Sequence, residues 1–275
     1  MGNTRLILQL AQGFLVGLAG LLPGLCGSTF LVLFGLYRPL TAALAHPLRD
    51  FRGNLSRFGA FFLAAGFGVL FGSRVLAAVF ARHETATLYL FMGFMVGTLP
   101  DLVRHSRRVR GGPAGWLAMA GMFLLCLGLA TLQNRLVPRD EPLQGHWGIW
   151  LLTGAGIGLG SIIPGASVAF LLIYFGVYQP LLEGVSRLAP AVLLPVVLGA
   201  GTAIFLFARA ADWLFCKAEG AATRGVLGLV AGSLWLVYPG WPGGQPGLVC
   251  LLLFGAGAVL SALLNRLAPP ESAER

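Results

Sequence analysis

The chain has 275 residues, of which 57% are hydrophobic and 11% charged, with a formal net charge of +9. A soluble domain carries about 25% charged residues, so this composition excludes a soluble globular fold and implies an integral membrane protein, in which 40 glycines and 16 prolines are also at home. The positive charge does not indicate a nucleic-acid partner, because the basic residues are scattered in short loops rather than along one face.

Apolar segments are expected at about 6–45, 58–81, 86–103, 114–133, 147–182, 190–213, 222–239 and 247–265. Most match the ~20 residues that cross a bilayer as a helix. The first opens with Arg5, an apolar run and small residues, as a signal peptide does. An internal twin argues that it is retained: residues 13–40 and 154–181 align without a gap and share 11 of 28 residues. Each copy is broken in the middle by Pro-Gly, at Pro23-Gly24 and Pro164-Gly165, and closes with Gly-x-Tyr-x-Pro-Leu. Proline removes a helical hydrogen bond and clashes with the preceding turn. Each long segment therefore either spans once with a kink or turns back as a re-entrant hairpin.

Charge counting decides for the hairpins. With six crossings left, the cytoplasmic side holds Arg5, Arg38, Arg49, Arg52, Arg57, Arg104, Arg107, Arg108, Arg110, Arg209, Lys217, Arg224, Arg266 and Arg275, and the outside holds Arg74, Arg82, Arg135, Arg139 and Arg187: 14 basic residues against 5. That is a strong positive-inside bias, with both termini cytoplasmic. Three crossings per half is an odd number, so the halves are inverted. The expected fold is an all-α membrane protein built as an inverted repeat, each half a re-entrant helical hairpin followed by three transmembrane helices. The first repeat covers 1–133 (hairpin about 9–40), a linker covers 134–146, and the second repeat covers 147–275 (hairpin about 147–182). At an offset of 135 the repeat continues through Gly66/Gly201, Arg74/Arg209, Glu84/Glu219, Gly93/Gly228 and Gly97/Gly232.

Backbone that leaves helical geometry at membrane depth must find partners in protein, water or ligand. After each break the free N–H groups and positive end of a new half-helix favour an anion. Gly27 permits close approach, and Ser28 and Thr29 add hydroxyl donors. Pro164, Gly165 and Ser167, with Ser161 nearby, are expected to do the same from the other face. Arg74 and Arg209 occupy matched positions from which an arginine could hold a phosphate in a fork. Arg209 has Asp212 three residues on as a helical ion-pair partner, whereas Arg74 has no local partner.

Glu84 and Glu219 read as charges at helix N-termini. With Asp101 and Asp212 they are the available proton carriers. Tyr37 and Tyr178 read as interfacial anchors. Of the four cysteines, Cys126, Cys216 and Cys250 read as small core residues and Cys26 as a member of the hairpin motif. No Cys or His spacing fits a metal, and no cofactor is expected.

These motifs resemble the PopT-type polyprenyl-phosphate transporter family over about 10–240. The resemblance rests on Pro23, Gly24, Cys26, Gly27, Ser28 and Thr29 with the following Gly-x-Tyr, on Pro164, Gly165 and Ser167 with theirs, and on Met-Gly-Phe-Met-Val-Gly-Thr-Leu and Leu-Gly-Leu-Val-Ala-Gly-Ser-Leu farther on. The chain departs from the family pattern at Cys26, Ser28, Val168 and Ala169, and lacks an Asp before the first Pro. The resemblance implies a bacterial cytoplasmic-membrane flippase that returns undecaprenyl phosphate to the inner leaflet, with the lipid phosphate and the bilayer as partners and the halves rocking around the site. The oligomeric state is left open, a homo-oligomer included.

A small-anion or other solute transporter on the same scaffold is the alternative. An undecaprenyl-pyrophosphate phosphatase of the BacA type needs acidic residues before its hairpins and an arginine beside the serine. Neither is present here, so no enzymatic activity is expected.

Overall fold

The computed structural model of the chain describes residues 2–25, 27–36, 39–40, 51–109, 112–136, 147–162 and 169–267. Among the described residues there are helices and no strands. Before the polar stretch at 137–146 come α1 (Gly2–Leu21), α2 (Gly27–Leu33), α3 (Phe51–Arg82), α4 (Glu84–Arg108) and α5 (Gly112–Leu136). After it come α6 (Trp147–Ile162), α7 (Ala169–Tyr174), α8 (Tyr178–Ser186), α9 (Pro190–Val237) and α10 (Gly244–Leu267). Among the described residues, five stretches are long and apolar enough to cross a bilayer: Phe58–Arg82, Glu84–Arg108, Pro190–Phe207, Lys217–Val237 and Gly244–Leu267. Large side chains such as Leu63, Phe67, Leu117, Leu152 and Phe205 point outward. In water so large an apolar surface would drive association; in a bilayer it is the face the solvent wets. The protein is a multi-pass, all-α membrane protein.

Two helix boundaries differ from expectation. A loop is expected between helices at 190–213 and 222–239, but α9 runs through, interrupted only at Ala218 (φ −135, ψ 40). No proline lies between Pro195 and Val237, and the Lys-Ala-Glu sequence at the break consists of good helix formers. The equivalent break between α3 and α4 is also a single residue, His83 (φ −137, ψ 52). His83 and Ala218 lie 135 residues apart, each between a basic residue (Arg82, Lys217) and a glutamate (Glu84, Glu219). Both glutamates thus open a helical segment, where the dipole favours a negative charge. Glu219 also stands 3.3 Å from Nε2 of His105.

Four helix pairs carry the packing, and glycine sets each of them. Gly13 and Gly17 of α1 lie against the backbone of Phe61 and Ala65 in α3. Gly154 and Gly158 of α6 lie against Val196 and Ala200 in α9. Gly93 and Gly97 of α4 meet Phe254 and Ala258 of α10, while Gly228 and Gly232 of α9 meet Met119 and Cys126 of α5. A Cβ at any of these eight positions would crowd its neighbour, so the absence of a side chain is what brings the helices together. In every pair the residue numbers climb together, so all four pairs are parallel. Since α1 and α3 are parallel, α3 begins beside the start of α1 and not beside its end; the same holds for α6 and α9. Both partners in the second and fourth pairs repeat the first and third at offsets of 141 or 135.

The repeated Gly-x-Tyr has a local cause. α2 ends with Leu36 N–H donating to the Leu31 carbonyl at 2.8 Å and Gly35 N–H to that of Val32 at 2.9 Å; α7 ends with Val177 to Leu172 and Gly176 to Ile173, both at 3.0 Å. This is the Schellman ending, whose penultimate residue must be left-handed. Gly35 (φ 65) and Gly176 (φ 69) supply it.

Candidate functional site

At the first break, α1 stops at Leu21 and α2 starts at Gly27. α2 folds back beside α1: a Cβ on Gly27 would stand 3.5 Å from the Val16 carbonyl oxygen. Pro23 is fully buried. Gly24 adopts φ +85, and its α-carbon presses on α4 so closely that a Cβ would fall 2.7 Å from the Met95 nitrogen. The turn of the first hairpin is therefore seated on the Met-Gly-Phe-Met-Val-Gly segment, which places two of the sequence motifs side by side.

The second broken segment reaches the same place. Phe170, Leu172, Val177, Tyr178 and Leu182 of α7–α8 share one hydrophobic core with Phe91, Phe94 and Met95 of α4, and Leu21, Leu22 and Leu25 pack against it. Within that core the Tyr178 hydroxyl donates to the Leu21 carbonyl at 2.6 Å. Phe80 and Phe91 present their rings edge-on to Tyr178 at 6.1 Å between centroids. The expectation that Tyr178 is an interfacial anchor is thus corrected: the ring is 4% exposed and its hydroxyl serves a backbone carbonyl. The bond joins residues 157 apart, so no local pattern signals it.

The remaining site candidates are placed as follows. Arg74 lies on α3 just beyond Gly72, which abuts Leu18 and Leu21 of α1, so it stands at the level of the first break. Its Nε–H donates to the Ser186 carbonyl at 3.2 Å. Arg74 therefore does have a partner, on a distant segment, and one of its five N–H donors is committed there. Ser161 is exposed near the end of α6 and its hydroxyl donates back to the Gly158 carbonyl at 2.7 Å. Ser28 and Thr29 occupy the first turn of α2, and Arg209 lies within α9; their side chains are outside the described residues. So are Cys26, Pro164, Gly165 and Ser167, and Tyr37. The structure thus joins Gly24 to α4, Gly27 to α1, the end of α1 to Tyr178 of the second segment, and Arg74 to Ser186 at the far end of α8. Tyr178 is the residue at this junction that sequence reasoning assigned elsewhere.

Residues 2–111 and 114–245 match a family model described as undecaprenyl phosphate translocase-like. The chain belongs to this family. Among curated proteins, the chain is 22% identical over 242 residues to a polyprenyl-phosphate transporter of Vibrio cholerae, covering 83% of this chain and 76% of that protein. It is 24% identical over an alignment of 277 positions to a polyprenyl-phosphate transporter of Staphylococcus aureus, covering 94% of this chain and 96% of that one. Both names, like the family's, denote transport rather than catalysis. No solved structure matches.

Proposed function

We propose that the protein is a polyprenyl-phosphate transporter that carries undecaprenyl phosphate from the outer to the cytoplasmic leaflet of the bacterial inner membrane, recycling the lipid carrier for cell-envelope synthesis. Its phosphate is held where two re-entrant hairpins meet, and its isoprenoid tail stays in lipid. The observation that carries this reading is the seating of the first Pro-Gly break in the core that the second broken segment also enters, in a chain whose relatives bear this transporter's name. The headgroup residues are Pro23, Gly24, Cys26, Gly27, Ser28 and Thr29 from one hairpin and Ser161, Pro164, Gly165 and Ser167 from the other, with Arg74 and Arg209 beside them. A groove of about 380 Å³ between α1 and α3, lined by Leu10, Phe14, Leu63, Ala64 and Phe67, is apolar. It lies on the outer, lipid-facing side of the pair, where an isoprenoid tail would run.

The repeat boundaries at 1–133 and 147–275 and the inverted arrangement, with both termini cytoplasmic, are part of the same proposal. The parallel course of α1 with α3 and of α6 with α9 supports re-entry, because each intervening segment must come back to its starting side. The matched glycine contacts support the repeat. They also change the motion. α4 is paired with α10 and α5 with the second part of α9, each across the two halves, so the halves are interlocked and cannot rock as rigid bodies. The four cross-paired helices form the static frame, and the hairpin-bearing units α1–α3 and α6 to the first part of α9 move against it, bending at His83 and Ala218.

The test is translocation in proteoliposomes by the Ser28→Ala/Thr29→Val double variant. A polyprenyl phosphate should be moved at least about tenfold more slowly than by wild type, as expected when charge-assisted hydrogen bonds to an anion are lost. The variant should still insert and remain monodisperse. Full activity in it removes the headgroup site from the first hairpin.

A further inference from the structure

We propose that Tyr178 is the positioning residue of the first hairpin: its hydroxyl, presented by the second half of the chain, holds the end of α1 at the Pro23 break and ties the two hairpins into one unit. The case begins with the backbone carbonyls that the break sets free. Leu22 N–H donates to the Ala19 carbonyl at 3.2 Å, and Leu25 N–H donates to that of Leu22 at 3.1 Å. Pro23 has no N–H to give. In a continuous helix the Leu21 carbonyl would accept from Leu25, but that donor is already engaged one residue on. Leu21 sits in an apolar core, where water does not compensate a lost partner. The Tyr178 hydroxyl fills the role at 2.6 Å.

The other end of the same helix is tied in the same sense. α8 begins at Tyr178 and ends at Ser186. Its last carbonyls are served by Arg187 N–H to Glu183 at 3.1 Å, Leu188 to Val185 at 3.0 Å and Ala189 to Gly184 at 2.9 Å. The Ser186 carbonyl instead receives Arg74 Nε–H from α3. Both ends of α8 are therefore bonded to the first half, at α1 and at α3, although α8 belongs to the second. A displacement of the second hairpin is passed directly to the tip of the first, so a headgroup held by both is gripped and released by both together. This functional consequence rests on the transport reading above; the tie itself does not.

The experiment compares wild type, Tyr178→Phe and, as a control, Tyr238→Phe in nanodiscs and proteoliposomes. Phenylalanine keeps the ring packed between Phe80 and Phe91 and deletes only the hydroxyl. Amide hydrogen exchange in a peptide spanning residues 18–25 should quicken by roughly three- to tenfold in Tyr178→Phe, the range for one hydrogen bond lost in a membrane protein. Exchange in α6 peptides and in Tyr238→Phe should not change. The initial transport rate per folded molecule should fall by a similar factor in Tyr178→Phe, with the melting transition retained.

Unchanged exchange at 18–25 overturns the tie. Faster exchange with wild-type transport overturns the positioning role, leaving a bond that only stabilises. If wild type itself moves no polyprenyl phosphate, the transport reading fails, and the exchange comparison still decides the tie.

Discussion

At Gly24 two demands fall on one residue. Its φ of +85 is left-handed, and its α-carbon lies against the Phe94–Met95 backbone. A left-handed conformation alone costs a non-glycine residue about 1–2 kcal/mol, and the added contact raises that, because backbone cannot move aside as a side-chain tip can. Gly24→Ala should therefore lower stability by about 2–4 kcal/mol, read as a thermal shift in detergent. Gly20→Ala, four residues earlier with nothing within 4 Å of its added methyl group, should be neutral. Leu188 presents the opposite case. It is a leucine at φ 51, in the left-handed place of a Schellman ending, and it is exposed. Leu188→Gly should raise stability by a few tenths to about 1 kcal/mol. The breaks at Pro23 and Gly24 are legible in the sequence because both residues act through their own backbone. The roles of Tyr178 and Arg74 are not, because their partners lie 157 and 112 residues away and any tyrosine or arginine near a membrane surface looks alike in one dimension.

Among elements, the matched glycines make a sharper statement than any single one. Gly17 and Gly158, 141 residues apart, face Ala65 and Ala200, 135 apart, and Gly93 and Gly228 face Phe254 and Met119, each 135 apart. Gly17→Val and Gly158→Val should each disrupt folding to a similar extent, costing about 2 kcal/mol or more, because each forces a parallel pair apart. Gly66 and Gly201, matched but open on every side, should tolerate alanine without loss of stability or of monodisperse material. Unequal costs within the first pair would mean that the two copies no longer share one packing. The spacing of these glycines was readable in the sequence. Their partners were not: nothing in α4 announces that it packs on α10 rather than on a sequence neighbour. Nor does apolarity reveal that α9 bends at one residue instead of opening into a loop, since Ala218 has no turn chemistry of its own.

For the molecule as a whole, composition already required a bilayer, and 14 basic residues against 5 are the ground for the proposed orientation with both termini cytoplasmic. What composition could not supply is the cross-pairing of helices, α4 with α10 and α5 with the second part of α9, which interlocks the two sequence repeats. The proposal that the two broken segments handle the headgroup of a polyprenyl phosphate follows from that arrangement together with the names of the chain's relatives. The most direct measurement places a fluorescent polyprenyl phosphate in one leaflet of proteoliposomes containing the wild-type protein and follows its accessibility to a membrane-impermeant quencher, beside the corresponding free alcohol. Rapid loss of accessibility for the phosphate, and none above protein-free liposomes for the alcohol, is the predicted result. Equal behaviour of the two lipids, or no movement of either with folded protein and a proton or sodium gradient supplied, would contradict the account.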